Sequence, residues 1–176
     1  MMANLSSDAR RLARTLNRAE LRVVFAESCT AGLVAASLAK VPGISDYLCG
    51  SAVTYRNDTK HQWLDVSSAN LVRPGPVSAI VAREMAAGIL AMTPEADWSA
   101  SVTGHLGPNA PKRLDGLVYI GIARCAAART EKSSTDVMTY RHVLTSTTRS
   151  QRQREATSLV LQQLNDAIKV AGDHDD

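Results

Sequence analysis

The sequence predicts an α/β fold, one three-layer α/β/α domain over residues 1–172 with a mixed sheet between two helical layers, and a frayed acidic tail at 173–176. Three observations point there. Strand-like apolar runs alternate with helical periodicity through the first half of the chain. Two strand patterns then follow one another near the end with only a short link between them. The apolar positions are mostly Ala, Leu and Val, and only 4% of the 176 residues are aromatic, which suits helices packed closely on a sheet.

Each element has its own signature. Residues 7–21 place Ala9, Leu12, Ala13 and Leu16 at helical spacing with arginines between, and Ser6, Ser7 or Asp8 is placed to cap them. The arginines Arg10, Arg11, Arg14, Arg18 and Arg22 read as a solvated face or a basic one. Val23, Val24 and Phe25 form a buried strand, and residues 33–40 form a helix that Val41-Pro42-Gly43 ends. Residues 47–55 read as a second strand, residues 59–64 as a short helix, and residues 67–76 as a connection with two prolines. Ser78 caps the longest clear helical pattern, which stops near Thr93-Pro94. Residues 97–102 are a third strand leading into a Gly-containing turn at 103–108, and residues 109–115 a polar loop. Residues 116–124 and 134–144 are strands predicted to pair antiparallel, and residues 151–170 the last helix.

The bulk numbers exclude several function classes. A net charge of +3 with dispersed basic residues gives no nucleic-acid partner, and the few aromatics give no stacking platform for single strands. No apolar run approaches the roughly 18 residues of a membrane span, and the N-terminus lacks the apolar core of a signal peptide. Cys29, Cys49 and Cys125 are without metal-ligand spacing and read as reduced thiols of a cytoplasmic protein. Neither a metal nor another cofactor is expected.

In sheets of this kind, sites lie beyond the carboxyl ends of strands. Three loops meet that description: 27–32, 55–60 and 103–108. In the first, Ser28 is either a helix cap or a nucleophile at a helix start, whose N–H groups can hold an anion. In the second, Lys60 and Tyr55 bracket a strand-to-helix connection. A lysine works as a base only when neutral, and bringing its pKa from about 10.4 to about 7.4 takes roughly 4 kcal/mol of differential destabilisation. His105 lies in the third loop, with no carboxylate placed in sequence to orient it. Gly104 and Gly107 there let backbone approach a ligand, and Arg149, just before the last helix, is placed to fork onto a phosphate or to be solvated.

These segments, in this order, resemble the C-terminal domain of the competence-damage-inducible (CinA) proteins. AESCTAGLVAASLAKVPGIS at 26–45 is similar to that family's AESCTGG block and the helix after it. VTYRNDTK at 53–60 is similar to V-x-Y-S-N-x-x-K, and SVTGHLGP at 101–108 to the V-T-G-I-A-G-P turn. The resemblance implies a dimeric three-layer amidohydrolase whose small-molecule nucleotide substrate is nicotinamide mononucleotide. It implies Ser28 as nucleophile and Lys60 with Tyr55 as its activating pair. It further implies Thr30, Ala31 and Gly32 around the oxyanion, Thr103, Gly104, His105 and Gly107 at the pocket, and Arg149 on the phosphate. This chain departs from the pattern at Ala31 (Gly in the family), at His105-Leu106 (Ile-Ala), at Arg56 (Ser) and in the shorter loop 109–115. If position 31 requires a positive φ, alanine is strained there.

Overall fold

The computed structural model describes residues 4–125 and 136–172. Helix α1, Leu5–Ala19, buries Leu5, Ala9, Leu12, Ala13 and Leu16 along one stripe. Its cap is Asn4, whose side chain accepts from the Ser7 N–H, rather than Ser6, Ser7 or Asp8. Asp8 is instead buried and accepts from the Ser158 hydroxyl of the last helix. Strand β1, Val23–Glu27, is buried throughout, as a central strand covered on both faces must be. Helix α2, Leu33–Leu38, and a 3₁₀ turn, Ile44–Asp46, lead to β2, Leu48–Val53. Helices α3, Asn57–Leu64, and α4, Ser68–Val72, come next. The second lies in the stretch read from sequence as plain connection; it buries only Leu71, too little to give a periodic signal.

Helix α5, Ala79–Ala91, is capped by Ser78 as expected, the Ser78 hydroxyl accepting from the Val81 N–H at 3.4 Å. Strands β3, Trp98–Gly104, β4, Leu117–Arg124, and β5, Asp136–Val143, follow. Helix α6, Arg149–Gly172, has 24 residues against 13 in α5, so the longest helix is the last, and Arg149 is its first residue. The expected start of β5 at Ser134 and the tail at 173–176 lie outside the described residues.

The strands form one mixed sheet in the order β2-β1-β3-β4-β5. The β1 pairs with β2 and β3 are parallel; β3-β4 and β4-β5 are antiparallel. One core lies between the sheet and α1, α2 and α6, built on Leu12, Leu16, Phe25, Val102, Ile120 and Leu161. The other lies under α3, α4 and α5, built on Val24, Leu64, Met85 and Ile89. This is the predicted three-layer α/β architecture. Among the described residues, no helix is long and apolar enough to cross a membrane.

The alanine-rich composition has a local cause in α5. On the face of β3 that meets this helix stand Ser99, Ser101 and Thr103. Their hydroxyls donate to Ala86 O at 2.7 Å, Ala82 O at 2.6 Å and Pro76 O at 2.8 Å. The helix backbone therefore sits almost on the sheet, and a Cβ at Gly121 of β4 would lie 2.4 Å from Ala82 O. Gly121→Ala is expected to lower stability by about 1–3 kcal/mol through overpacking of a backbone that cannot yield. Urea denaturation measures it; an unchanged midpoint would mean that α5 is free to move off the sheet.

Candidate active site

The carboxyl ends of the three parallel neighbours β2, β1 and β3 lie side by side and feed the three loops predicted to hold chemistry. The Thr54 N–H donates to Glu27 O at 2.8 Å and the Ser28 N–H to Val102 O at 3.0 Å, so the loops start from a common, fixed base. From there Ser28 follows β1, Lys60 projects from α3, and residues 103–108 leave β3.

Ser28 and Lys60 meet. Lys60 Nζ lies 3.0 Å from Ser28 Oγ and donates to Thr54 O at 2.9 Å. The ammonium group has left water, since Lys60 is only 2% exposed and Ser28 7%. Burial pushes the Lys60 pKa down to about 8, outweighing the opposing influence of Cys29. A lysine so placed can, in its neutral form, take a proton from the serine beside it. The neighbouring Cys29 is the opposite case: burial pushes its thiol up to about 12, which keeps it protonated and non-nucleophilic.

Glu27 is the residue that sequence reasoning missed. Its buried carboxylate accepts from the N–H groups of Gly32 at 2.9 Å, Val34 at 3.0 Å and Ala35 at 3.0 Å, and from the Ser51 hydroxyl at 3.1 Å. It thus occupies the anion site at the start of α2. This corrects the expectation that N–H groups at 30–32 hold an oxyanion. Gly32 N–H is taken by Glu27, and Ala31 N–H donates to Ser28 O at 3.1 Å. The N–H groups of Cys29 and Thr30 make no backbone hydrogen bond among the described residues. Thr30 is fully buried, with its carbonyl accepting from Gln153 Nε2 at 2.9 Å and its hydroxyl without a partner among the described residues.

Ala31 has φ 53°, the left-handed conformation that an L residue with a Cβ resists, and Gly32 follows with φ 93°. Ala31→Gly is expected to raise stability by about 0.5–1 kcal/mol, the relief of strain exceeding the entropy glycine adds to the unfolded chain. A thermal melt with calorimetry reads this; a lower midpoint would show that Ala31 carries no net strain.

Beside Ser28 lies a cleft of about 250 Å³, lined by Tyr55, Asn57, Thr103, Gly104, His105, Gly107 and Arg149 among others. Thr30, Ala31 and Gly32 are not among its walls. Tyr55 is 52% exposed, and its hydroxyl accepts from Arg149 Nη2 at 2.8 Å. It makes no hydrogen bond to Ser28 or Lys60, so the expected Lys60–Tyr55 pair is not formed; the tyrosine stands at the mouth with the arginine. Arg149 also donates to Gly107 O through Nη1. Next to it, Arg152 forks onto Asp115 at 2.6 and 2.9 Å, holding that carboxyl below its ordinary pKa. The start of α6 therefore grips the loop that departs from the family pattern, whose Asn109 and Ala110 also line the cleft. Thr103 faces the cleft, but its hydroxyl is spent on Pro76 O. Among the described residues there is no group of three His, Cys, Asp or Glu able to hold a metal ion.

Fold and site together define a three-layer α/β protein with a buried lysine–serine pair beyond its parallel strand ends. The chain matches the CinA C-terminal domain family over residues 6–168 and belongs to it. It is 41% identical over 114 residues to a CinA-like protein of Prochlorococcus marinus (strain MIT 9301), covering 64% of this chain and 27% of that one. A CinA-like protein of Endomicrobium trichonymphae is 45% identical over 103 residues, 57% of this chain and 24% of that one. The match thus spans about a quarter of the length of these relatives. The crystal structure of competence/damage inducible protein CihA from Agrobacterium tumefaciens superposes with a TM-score of 0.83 at 29% identity, covering 94% of this chain and 95% of that one. A CinA superfamily protein from Escherichia coli gives 0.78 at 27% identity over 93% and 88% of the two chains.

Proposed function

We propose that this protein is an amidohydrolase that converts nicotinamide mononucleotide to nicotinate mononucleotide and ammonia, with Ser28 as nucleophile and Lys60 as base. The supporting observation is the 3.0 Å contact between Ser28 Oγ and a buried Lys60 whose pKa is near 8. The substrate follows from the CinA blocks that carry these two residues.

In the proposed reaction, neutral Lys60 takes the Ser28 proton while Thr54 O keeps its hold on Nζ. Ser28 Oγ bonds to the carboxamide carbon, and the negative charge moves to the carbonyl oxygen. The N–H of Cys29, which lines the cleft beside Ser28, is the donor left in this turn to receive that charge. The carbon–nitrogen bond then breaks, and Lys60 returns the proton to the leaving nitrogen, which departs as ammonia. Water, deprotonated by Lys60, cleaves the acyl-enzyme and restores Ser28. Arg149, held in place by Tyr55 and Gly107, meets the phosphate at the mouth.

Incubation with nicotinamide mononucleotide and an ammonia assay test this directly. Wild-type turnover is expected, and Ser28→Ala should lower it by about 10³-fold or more. An inactive wild type, or turnover untouched by Ser28→Ala, overturns the proposal. His105, Asn109 and Ala110 at the cleft favour a second reading, the same chemistry on another amide. A panel of amides ranked by kcat/KM separates the two.

A further inference from the structure

Away from the cleft, a larger concavity of about 470 Å³ lies between α1 and the segment joining α2 to β2. Arg10, Arg14 and Arg18 line one side; Pro42, Ile44 and Tyr47 line the other. Tyr47 directly precedes β2, and its carbonyl accepts from the Val23 N–H that opens β1. The groove therefore sits at the amino-terminal ends of these strands, opposite the ends that carry Ser28.

The three arginines recur every fourth residue, so their Cα atoms span about 12 Å along one face of α1. Among the described residues none of them pairs with a carboxylate, whereas Arg11, one step around the helix, meets Asp8 at 3.5 Å. Like charges four residues apart cost helix stability, and this helix carries two such pairs in succession. Guanidinium forks match phosphate oxygens two at a time. The facing wall is of another kind. Asn17 Nδ2 donates to the Tyr47 hydroxyl at 2.9 Å, which fixes the tyrosine ring, and Val41 and Pro42 add apolar surface. A bare polyanion has no use for such a wall, while a flat ring does.

We propose that this groove binds a phosphorylated small molecule bearing a planar ring, its phosphates on Arg10, Arg14 and Arg18 and its ring against Pro42 and Tyr47. Its volume falls in the range of sites for ligands of that size. The site uses none of the residues around Ser28, so its test stands whether or not the deamidase reading holds.

The test is calorimetric titration of the whole protein with ATP, tripolyphosphate and adenosine at about 150 mM salt, with amide shifts mapping the site. ATP is expected to bind saturably, one per chain, with shifts at α1 and residues 41–47. Tripolyphosphate and adenosine should each bind at least about tenfold more weakly. Arg14→Gln/Arg18→Gln should weaken ATP by about tenfold or more and leave Ser28-dependent turnover unchanged. Absence of saturable ATP binding below about 1 mM, shifts centred on residues 28–30 and 103–107, or affinity indifferent to the arginine pair overturns the site. Tripolyphosphate binding as tightly as ATP overturns the ring contact.

Discussion

Lys60→Met is expected to abolish turnover and, at neutral pH, to make the protein more stable. Below its folded pKa of about 8 the buried lysine is charged in both states, and the native state bears the whole desolvation cost, roughly 3 kcal/mol. Between about 8 and the ordinary lysine value the unfolded chain binds the extra proton, so wild-type stability rises with pH across that window. Methionine is one atom shorter, unbranched and uncharged, but leaves Thr54 O and Ser28 Oγ without their donor, at about 1 kcal/mol each. The net gain at pH 7 is therefore about 1 kcal/mol, and it disappears once the wild-type lysine is neutral. Urea denaturation at neutral and alkaline pH reads both parts. A variant less stable than wild type at pH 7 would show that Lys60 bears no desolvation cost and is not poised as a base.

Glu27→Gln is expected to lower stability by about 2–4 kcal/mol and to remove most turnover. Its carboxylate accepts three N–H groups at the start of α2 and the Ser51 hydroxyl. The glutamine amide turns one acceptor into a donor facing other donors, and it withdraws the negative charge from the positive end of the helix. The turn that Glu27 holds also carries Ser28, so loss of its grip displaces Ser28 from Lys60. Denaturation midpoint and ammonia release report the two effects. Wild-type stability in this variant would mean that the turn is held by something other than Glu27.

The layers of the fold were legible because their signals are local. The unbroken apolar run of β1, the stripe on α1 and the Ser78 cap each follow from residues near one another in sequence. Ser28 and Lys60 were legible as members of loops at adjacent strand ends, and strand order brings those loops together. What was not legible depends on tertiary approach. Glu27 reads as one more strand residue until α2 and Ser51 close on it. Tyr55 reads as Lys60's partner until Arg149, 94 residues away, takes its hydroxyl. At Ala31 the departure from glycine raised the question of a positive φ, but alanine itself signals a helix, and only the backbone shows the left-handed turn. Asn57, at the start of α3, lines the cleft through a side chain that no periodic pattern marks.

The most direct measurement is the pH dependence of kcat/KM for nicotinamide mononucleotide between about pH 6 and pH 10. With Lys60 as the base, the rate should climb about tenfold per pH unit below its pKa and level off above about 8. A rate independent of pH across that range, or one still climbing at pH 10, would contradict a neutral Lys60 drawing the proton from Ser28.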